Sequence, residues 1–200
     1  MQEIILASAS PRRAALLKQI GLDFKVIPSH TQEIIVPGMT PREIVLQLAD
    51  QKACSVSKSY PNSVVLGADT AVCCEGEILG KPRERDEAAS MLRFLSGRIH
   101  EVVTGVVLRQ ESRKLVREDA VTTRVKFRNL SEEEIASYTA TNEPFDKAGA
   151  YGIQGFGALL VESIQGCYFN VVGLPLSRLP GMFKEFGVDL LCQEMNIVSR

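Results

Sequence analysis

The alternation of short apolar runs with helix-start signals is the feature that most limits how this chain can fold. Residues 4–7 (IILA) form an apolar run too short for a helix, and Ser10-Pro11 follows at once. Such a run is typical of a buried strand, while Ser before Pro is typical of a helix N-terminus. A second start signal begins at Thr40, and a second buried run covers residues 63–68. This order predicts a sheet with helices packed on it.

Two long β-patterned stretches dominate the middle of the chain, at residues 99–110 and 115–127. The short polar turn between them favours antiparallel pairing. We therefore expect an α/β or α+β fold with a mixed sheet, and one domain over residues 1–200, because no linker or repeat interrupts the chain. Further elements are predicted as helices at 86–96, from 131 and at 176–186, a glycine-rich loop at 146–157, and strands at 158–162 and 168–172.

Charge and composition exclude several classes of function. The chain has 23 Lys and Arg against 24 Asp and Glu, so it lacks the broad basic field of a general nucleic-acid binder. No apolar run reaches the roughly 18–20 residues that span a bilayer, and residues 1–3 (MQE) carry no basic region of the kind that a signal peptide has. Five cysteines without a CxxC pair, and only two histidines, disfavour disulfides and a zinc site. We expect a soluble cytoplasmic protein with no nucleic-acid or membrane partner.

The first candidate site is the segment at residues 8–13 (SASPRR), between the first predicted strand and helix. Helix N-termini present free N–H groups that suit phosphate oxygens, and Ser8, Arg12 and Arg13 add further donors. The segment is not a Walker loop, because GxxxxGK[ST] is absent. From these residues alone, a phosphate site and a capped surface helix with solvated arginines are equally good interpretations.

A second candidate is Asp69, in the segment GADT, where the buried strand at 63–68 is expected to end. A carboxylate at the carboxyl end of a strand can hold Mg²⁺ or orient water, although capping of a turn is the commoner role. Lys81 stands between Gly and Pro, and Lys52 lies about three turns into the helix that starts after Thr40. Each lysine taken alone is more often a solvated surface charge, and Glu33 is equally unremarkable in its polar loop.

The third candidate is the segment at residues 146–155 (DKAGAYGIQG). Its glycines allow a ligand to approach the backbone, and Tyr151 and Gln154 can read a base by packing and hydrogen bonding. The alternative is a glycine-rich connection in which Tyr151 is half-buried. The placement of the glycines around these two side chains favours a site only slightly.

Taken together and in this order, these segments resemble the signatures of the Maf family. The residues at 95–98 (LSGR) and 170–175 (NVVGLP) fit the same pattern, so the resemblance extends along essentially the whole chain. The resemblance implies an α/β fold similar to the inosine triphosphatase fold, with two lobes around a central cleft. It also implies a nucleoside triphosphate pyrophosphatase that cleaves between the α- and β-phosphates and releases a nucleoside monophosphate.

The resemblance further implies roles for individual residues and a divalent metal, Mg²⁺ or Mn²⁺. One departure is that Gln32 precedes Glu33, where the family usually has an acidic residue, and this removes one potential metal ligand. We expect four cations to converge on one cleft in spite of the near-neutral total charge. The implied assignments are Asp69, Lys52 and Lys81 as the catalytic group, with Asp69 the catalytic carboxylate; Ser8, Arg12 and Arg13, with both lysines, on the phosphates; and Glu33 with Asp69 on the metal.

Gln154 bears on the choice of base. A primary amide offers a donor and an acceptor, which match the adjacent carbonyl and N–H of uracil or thymine. In the family, the GIQG form resembles the branch that acts on dTTP and UTP, and we extend the expectation to modified pyrimidine triphosphates. Two alternatives remain: a nucleotide-binding regulator of cell division or septum formation with little turnover, and purine surveillance, which Gln154 disfavours. A homodimer is an option by resemblance only.

Overall fold

The computed structural model describes residues 2–31, 34, 36 and 38–191. Within them, the strands form one seven-stranded mixed sheet in the order β2-β1-β3-β5-β6-β7, with β4 paired to β3. The predicted mixed α/β architecture is confirmed. The strands are β1 (Ile4–Leu6), β2 (Lys25–Val26), β3 (Val64–Cys74), β4 (Glu77–Leu79), β5 (Ile99–Gln110), β6 (Leu115–Phe127) and β7 (Val161–Gln165).

Helices flank this sheet, and several short 3₁₀ turns occur in the second half of the chain. None of the helices in the described ranges is long and apolar enough to cross a membrane. The helices are α1 (Pro11–Gln19), α2 (Pro41–Ser57), α3 (Arg85–Leu95), α4 (Glu132–Thr139), α5 (Tyr168–Val172) and α6 (Leu179–Glu185), and the 3₁₀ turns are Glu111–Arg113, Pro144–Asp146, Ala148–Ala150, Gly155–Leu160 and Leu176–Arg178.

The N-termini of α1 and α2 differ in whether the predicted capping side chain makes its hydrogen bond. At α2, Thr40 and Glu43 form the reciprocal capping box that their spacing predicts. At α1, Pro11 is the first helical residue, but Ser10 makes no side-chain cap. Instead, its backbone N–H donates to Ser8 Oγ at 3.2 Å. The hydroxyl that organises this turn is therefore that of Ser8, two residues before the predicted cap.

Strand β3 is longer than the sequence predicts, because it continues through Asp69 to Cys74. It pairs with β5 along one edge. On its other edge, β1 pairs in parallel with Val64 to Leu66, and β4 pairs antiparallel with residues 72–74. Since a strand has only two edges, the stretch at 67–71 lies open between β1 and β4. Asp69 lies in the middle of this gap.

Helix α2 rests directly on the sheet, and two glycines make this close approach feasible. A Cβ at Gly67 would lie 2.2 Å from the carbonyl oxygen of Ala49, and one at Gly105 would lie 2.6 Å from that of Val45. Both positions belong to adjacent paired strands, β3 and β5. The backbone of α2 therefore packs against bare strand backbone, at a distance that no side chain on these two residues would permit.

The two faces of the sheet bury different clusters. The α2 face holds small and β-branched side chains such as Ala49, Ala53 and Val65. The opposite face packs against α1 and α6 at one end and against α3 and α4 at the other. The largest fully buried side chains of these clusters are Phe127, Phe183, Ile5, Leu6, Leu17, Leu66, Leu92, Leu95, Leu108, Ile135, Leu174 and Leu179.

The prediction of a strand at residues 168–172 is wrong, because this segment is helix α5. Asn170 is fully buried, and its amide donates to the carbonyl of Val102 and to Thr123 Oγ1. Gly173, at φ 121°, ends the helix. The hydrogen bonds of Asn170 with the distant strands β5 and β6 outweigh the β-prone composition of this segment. The neighbouring predicted strand at 158–162 begins later, at Val161, after a 3₁₀ turn.

Candidate functional site

A cleft of about 720 Å³ opens beside the unpaired stretch of β3. Its walls come from the β1–α1 turn, α2, β3, the end of β4 and the segments around 146–154 and 171–173. Glu33 and its neighbour Gln32 lie outside the described residues. The other seven predicted site residues all line this cleft: Ser8, Arg12, Arg13, Lys52, Asp69, Lys81 and Gln154.

Lys52 and Asp69 form an ion pair within the cleft. Lys52 Nζ lies 2.5 Å from Asp69 Oδ1, and the two side chains are 18% and 16% exposed. Asp69 follows Gly67 by two residues, so both project toward the same face of the sheet. Because α2 touches the sheet at Gly67, Lys52 is held close enough to reach the carboxylate. The pair thus results from the close helix–sheet contact, and it lies largely out of water.

Arg13 occupies the opposite face of β3. Its Nε donates to the carbonyl of Gly173 at 2.9 Å, and its two terminal nitrogens donate to Ser8 Oγ at 3.1 Å and Thr70 Oγ1 at 3.0 Å. The residue is 9% exposed. The guanidinium therefore ties together the β1–α1 turn, β3 and the end of α5. The contact of Arg13 with phosphate, which the family resemblance implies, stays a prediction.

Polar contacts continue from Thr70 into the core. Its hydroxyl lies 3.0 Å from that of Thr104 on β5, and Thr104 donates to the carbonyl of Asn170 at 2.9 Å. Buried hydroxyls and amides are stable when their partners are satisfied, and such connected networks restrict local movement. The residue that follows Asp69 is therefore anchored from the far side of the sheet.

Arg12 links the two walls of the cleft. Arg12 and Asp146 form a salt bridge at 2.8 Å, and Lys147 Nζ lies 2.5 Å from the same carboxylate. Partial burial opposes ionisation of Asp146, but the hydrogen bonds from Lys147 and Arg12 outweigh it and lower the pKa of this carboxyl. The β1–α1 turn is thereby held to the 144–155 segment.

Lys81 and Gln154 lie at the rim and are exposed. Just before Lys81, the carbonyl of Gly80 accepts the N–H of Gly149 at 2.9 Å, which connects the end of β4 to the 3₁₀ turn at Ala148–Ala150. This backbone hydrogen bond holds the chain beside Lys81 against the segment that also carries Gln154. The geometry gives Lys81 and Gln154 access to a ligand in the cleft.

Tyr151 forms part of the cleft wall and is 5% exposed. Its hydroxyl lies 2.7 Å from His100 Nε2, and its ring packs edge-to-face on Phe127 with centroids 4.6 Å apart. Burial raises the pKa of Tyr151 and lowers the pKa of His100 to about 4. Both groups are therefore neutral at pH 7 and act as a rigid wall. The alternative interpretation of this segment, in which Tyr151 is half-buried, understates its burial.

Sequence reasoning missed the site roles of several residues that the fold brings together. Thr70, Asp146 and Lys147 all line the cleft. All three lie inside the segments that the sequence singled out, next to residues chosen for their own chemistry. The available signal was the charge pair Asp146-Lys147 at the start of the glycine-rich segment. The sequence near Asp146 does not indicate that its partner is Arg12, which lies 134 residues away.

The cleft is electropositive although the chain is not. Its described walls carry five cationic side chains and two carboxylates, whereas the formal net charge of the whole chain is −1. Several cations with low exposure around a concave site favour a ligand with multiple negative charges. The fold and the site thus define an α/β protein with a cleft suited to a phosphate-bearing ligand.

The chain belongs to the Maf family, because the family model described as "Maf-like protein" matches residues 3–186. The chain is 51% identical over 185 residues to the dTTP/UTP pyrophosphatase of Clostridioides difficile (strain 630), covering 92% of this chain and 94% of that one. It is 52% identical over 190 residues to the dTTP/UTP pyrophosphatase of Symbiobacterium thermophilum, covering 95% and 97%. Among solved structures, that of the Staphylococcus aureus Ham1 protein is similar to this one, with 18% sequence identity and a TM-score of 0.48. The match covers 78% of this chain and 78% of the Ham1 chain.

Proposed function

We propose that this protein hydrolyses dTTP and UTP to the nucleoside monophosphate and pyrophosphate. The observation that carries the proposal is the partly buried Lys52–Asp69 pair inside a cleft with further cations on its walls. Relatives about half identical over nearly their full length bear the name dTTP/UTP pyrophosphatase. A binding protein would need the cations but would not need a carboxylate in their midst.

In the proposed reaction, water attacks the α-phosphorus in line with the bridging oxygen to the β-phosphate. A P–O bond to water forms, the Pα–O bridge breaks, and pyrophosphate leaves with the bridging electron pair. Asp69 orients the water and accepts its proton, while Lys52 and Lys81 stabilise charge on the phosphate oxygens. Arg12 binds the phosphates by exchanging Asp146 for a phosphate oxygen. Ser8 donates from the helix N-terminus, and Arg13 adds its charge from behind β3.

The residues in the cleft fit a divalent cation such as Mg²⁺ or Mn²⁺. Mg²⁺ is commonly held by one or two carboxylates together with substrate phosphates. Asp69 supplies such an oxygen donor, and Glu33 is the second carboxylate that we propose. Over the part of the chain that the structure describes, no group of three or more His, Cys, Asp or Glu side chains is arranged to hold a metal without substrate. When bound, the cation reduces charge repulsion between the triphosphate and its attacking water.

Gln154 accounts for the proposed pyrimidine preference. Its side chain is at the cleft rim, within the segment that also supplies Tyr151. Its amide can donate to the O4 carbonyl and accept from the N3–H of uracil or thymine. Guanine adds an amino donor beside its N1–H, and a carboxylate would match these two donors better than an amide does. We therefore expect dTTP and UTP to be preferred over GTP.

The test is one panel of assays. Purified protein is incubated with Mg²⁺ or Mn²⁺ and each common nucleoside triphosphate, and pyrophosphate and phosphate are detected separately. Pyrophosphate from dTTP and UTP, abolished by EDTA, supports the proposal. Release of phosphate would contradict the cleavage position, and nucleotide binding without either product would support a binding regulator instead.

A further inference from the structure

Glu143 holds the loop that carries Gln154. Its Oε1 accepts the N–H of Phe156 at 2.9 Å, and its Oε2 accepts the N–H of Gly157 at 3.2 Å. Both oxygens of one carboxylate therefore bind successive backbone groups two and three residues after Gln154. Hydrogen bonds to an ionised carboxylate are stronger than those between neutral groups. We propose that Glu143 is a positioning residue for base recognition, acting through Gln154; this rests on the proposed function.

Gly155 gives the first support for this role. Its φ is +69°, and a Cβ at this position would lie 2.4 Å from Glu143 Oε1. The carboxylate thus occupies the space that any side chain at 155 would need. The lack of a side chain at Gly155 thus lets the Glu143 carboxylate contact the backbone directly after Gln154.

Lys147 supports the loop from its other end. A Cβ at Gly152 would lie 2.8 Å from Cε of Lys147, so the Lys147 side chain packs directly against this glycine. Its ammonium donates to the backbone carbonyl of Glu143 and also contacts Asp146, the partner of Arg12. One short segment therefore connects the proposed base reader to a proposed phosphate cation.

Glu143 acts indirectly, since it is not among the described residues that line the cleft. It lies behind the 152–157 loop, half-buried, with its own N–H donating to Thr141 Oγ1 at 3.2 Å. A residue in this place has no contact with substrate, and its influence must pass through the position of Gln154.

The test is Glu143→Gln, which keeps the shape of the side chain but offers one acceptor oxygen instead of two. The ratio of kcat/KM for UTP over GTP is expected to fall about tenfold, the effect of one lost hydrogen bond, with a raised KM for UTP and a nearly unchanged kcat. In a Gln154→Ala background, Glu143→Gln is expected to change this ratio less than twofold, because the group it positions is gone. Glu118→Gln, an exposed acid on β6, serves as the control and is expected to leave the ratio unchanged.

An equal loss of activity on UTP and GTP, or an additive loss in the Gln154→Ala background, would overturn the positioning role. If Glu143→Gln fails to fold, Glu143→Asp retains both acceptors on a shorter stem and is measured in the same way. Binding of UTP and GTP is measured alongside by calorimetry. Wild type that binds UTP selectively without releasing pyrophosphate contradicts the proposed function, and the selectivity of binding then decides the role of Glu143. Wild type that shows no selectivity for UTP contradicts the role of Glu143 as well.

Discussion

Lys52 Nζ and Asp69 Oδ1 lie 2.5 Å apart, across the face where α2 touches β3. Lys52 lies deep in helix α2, and Asp69 lies in the middle of strand β3. The local structure around either residue therefore does not bring the two together. Their contact depends on the bare backbone at Gly67, which lets the helix approach. This relationship links the packing of the sheet to the proposed chemistry.

Asp69→Asn is expected to lower kcat for UTP by at least about 100-fold, because the amide can neither accept a proton nor hold a metal as a carboxylate does. The circular dichroism spectrum is expected to stay native, since the side chain keeps its shape. Pyrophosphate release is the measurement. A folded variant with full activity would remove Asp69 from the mechanism.

Gly67→Ala is expected to destabilise the fold by about 1–3 kcal/mol, because the new methyl meets the backbone of α2. The displacement of α2 also moves Lys52, so activity is expected to fall in the protein that remains folded. The measurements are urea unfolding and pyrophosphate release.

Gly181→Ala provides the matched control. This glycine lies in α6 with nothing within 4 Å of the added methyl, so the change is expected to stabilise by up to about 1 kcal/mol. Equal destabilisation by the two variants would show that the approach of α2 is not the cause.

Arg13→Lys is expected to cost about 2–3 kcal/mol of stability, since one ammonium cannot serve Gly173, Ser8 and Thr70 at once and buried acceptors lose their donors. Arg12→Lys should cost less than about 1 kcal/mol, because its salt bridge with Asp146 is partly exposed. The free energies of unfolding of the two variants are compared. Similar values would contradict the bracing role of Arg13.

His100 predicts a pH dependence of stability. Its pKa is lowered by burial from 6.5 to about 4 in the folded protein. Between these values the unfolded chain binds the proton more readily, so the stability contribution of neutral His100 is complete above pH 6.5 and is lost as the pH falls toward 4.

At about 1.4 kcal/mol per pKa unit, the loss from pH 7 to pH 4 is about 3 kcal/mol. Urea unfolding of wild type and His100→Asn at both pH values measures it. The variant should lose less stability on acidification, and parallel losses would show that His100 does not carry the effect.

Local patterns predicted most of the elements. The stretches 99–110 and 115–127 are confirmed as β5 and β6 with the predicted bounds. The capping box of Thr40 and Glu43 is confirmed as well. These features depend on side-chain alternation and on contacts three or four residues apart, which the sequence displays directly.

Elements whose conformation depends on distant partners were not predictable in the same way. Residues 168–172 have a β-prone composition but form α5, where Asn170 bonds to β5 and β6. Asp69 was expected at the end of a strand, yet β3 continues because β4 and β5 pair with its second half. In both cases a partner far along the chain outweighs local preference.

The sequence by itself determined most of the chemistry of the cleft, since the motifs already contain its serine, its carboxylates, its amide and every cation except Lys52. The tertiary structure alone decided which of them meet: Lys52 with Asp69, Arg12 with Asp146, Arg13 with Thr70, and Glu143 with the loop after Gln154. The physical reason is that strand order and helix approach, which no short segment encodes, set distances between residues 13 to 134 positions apart.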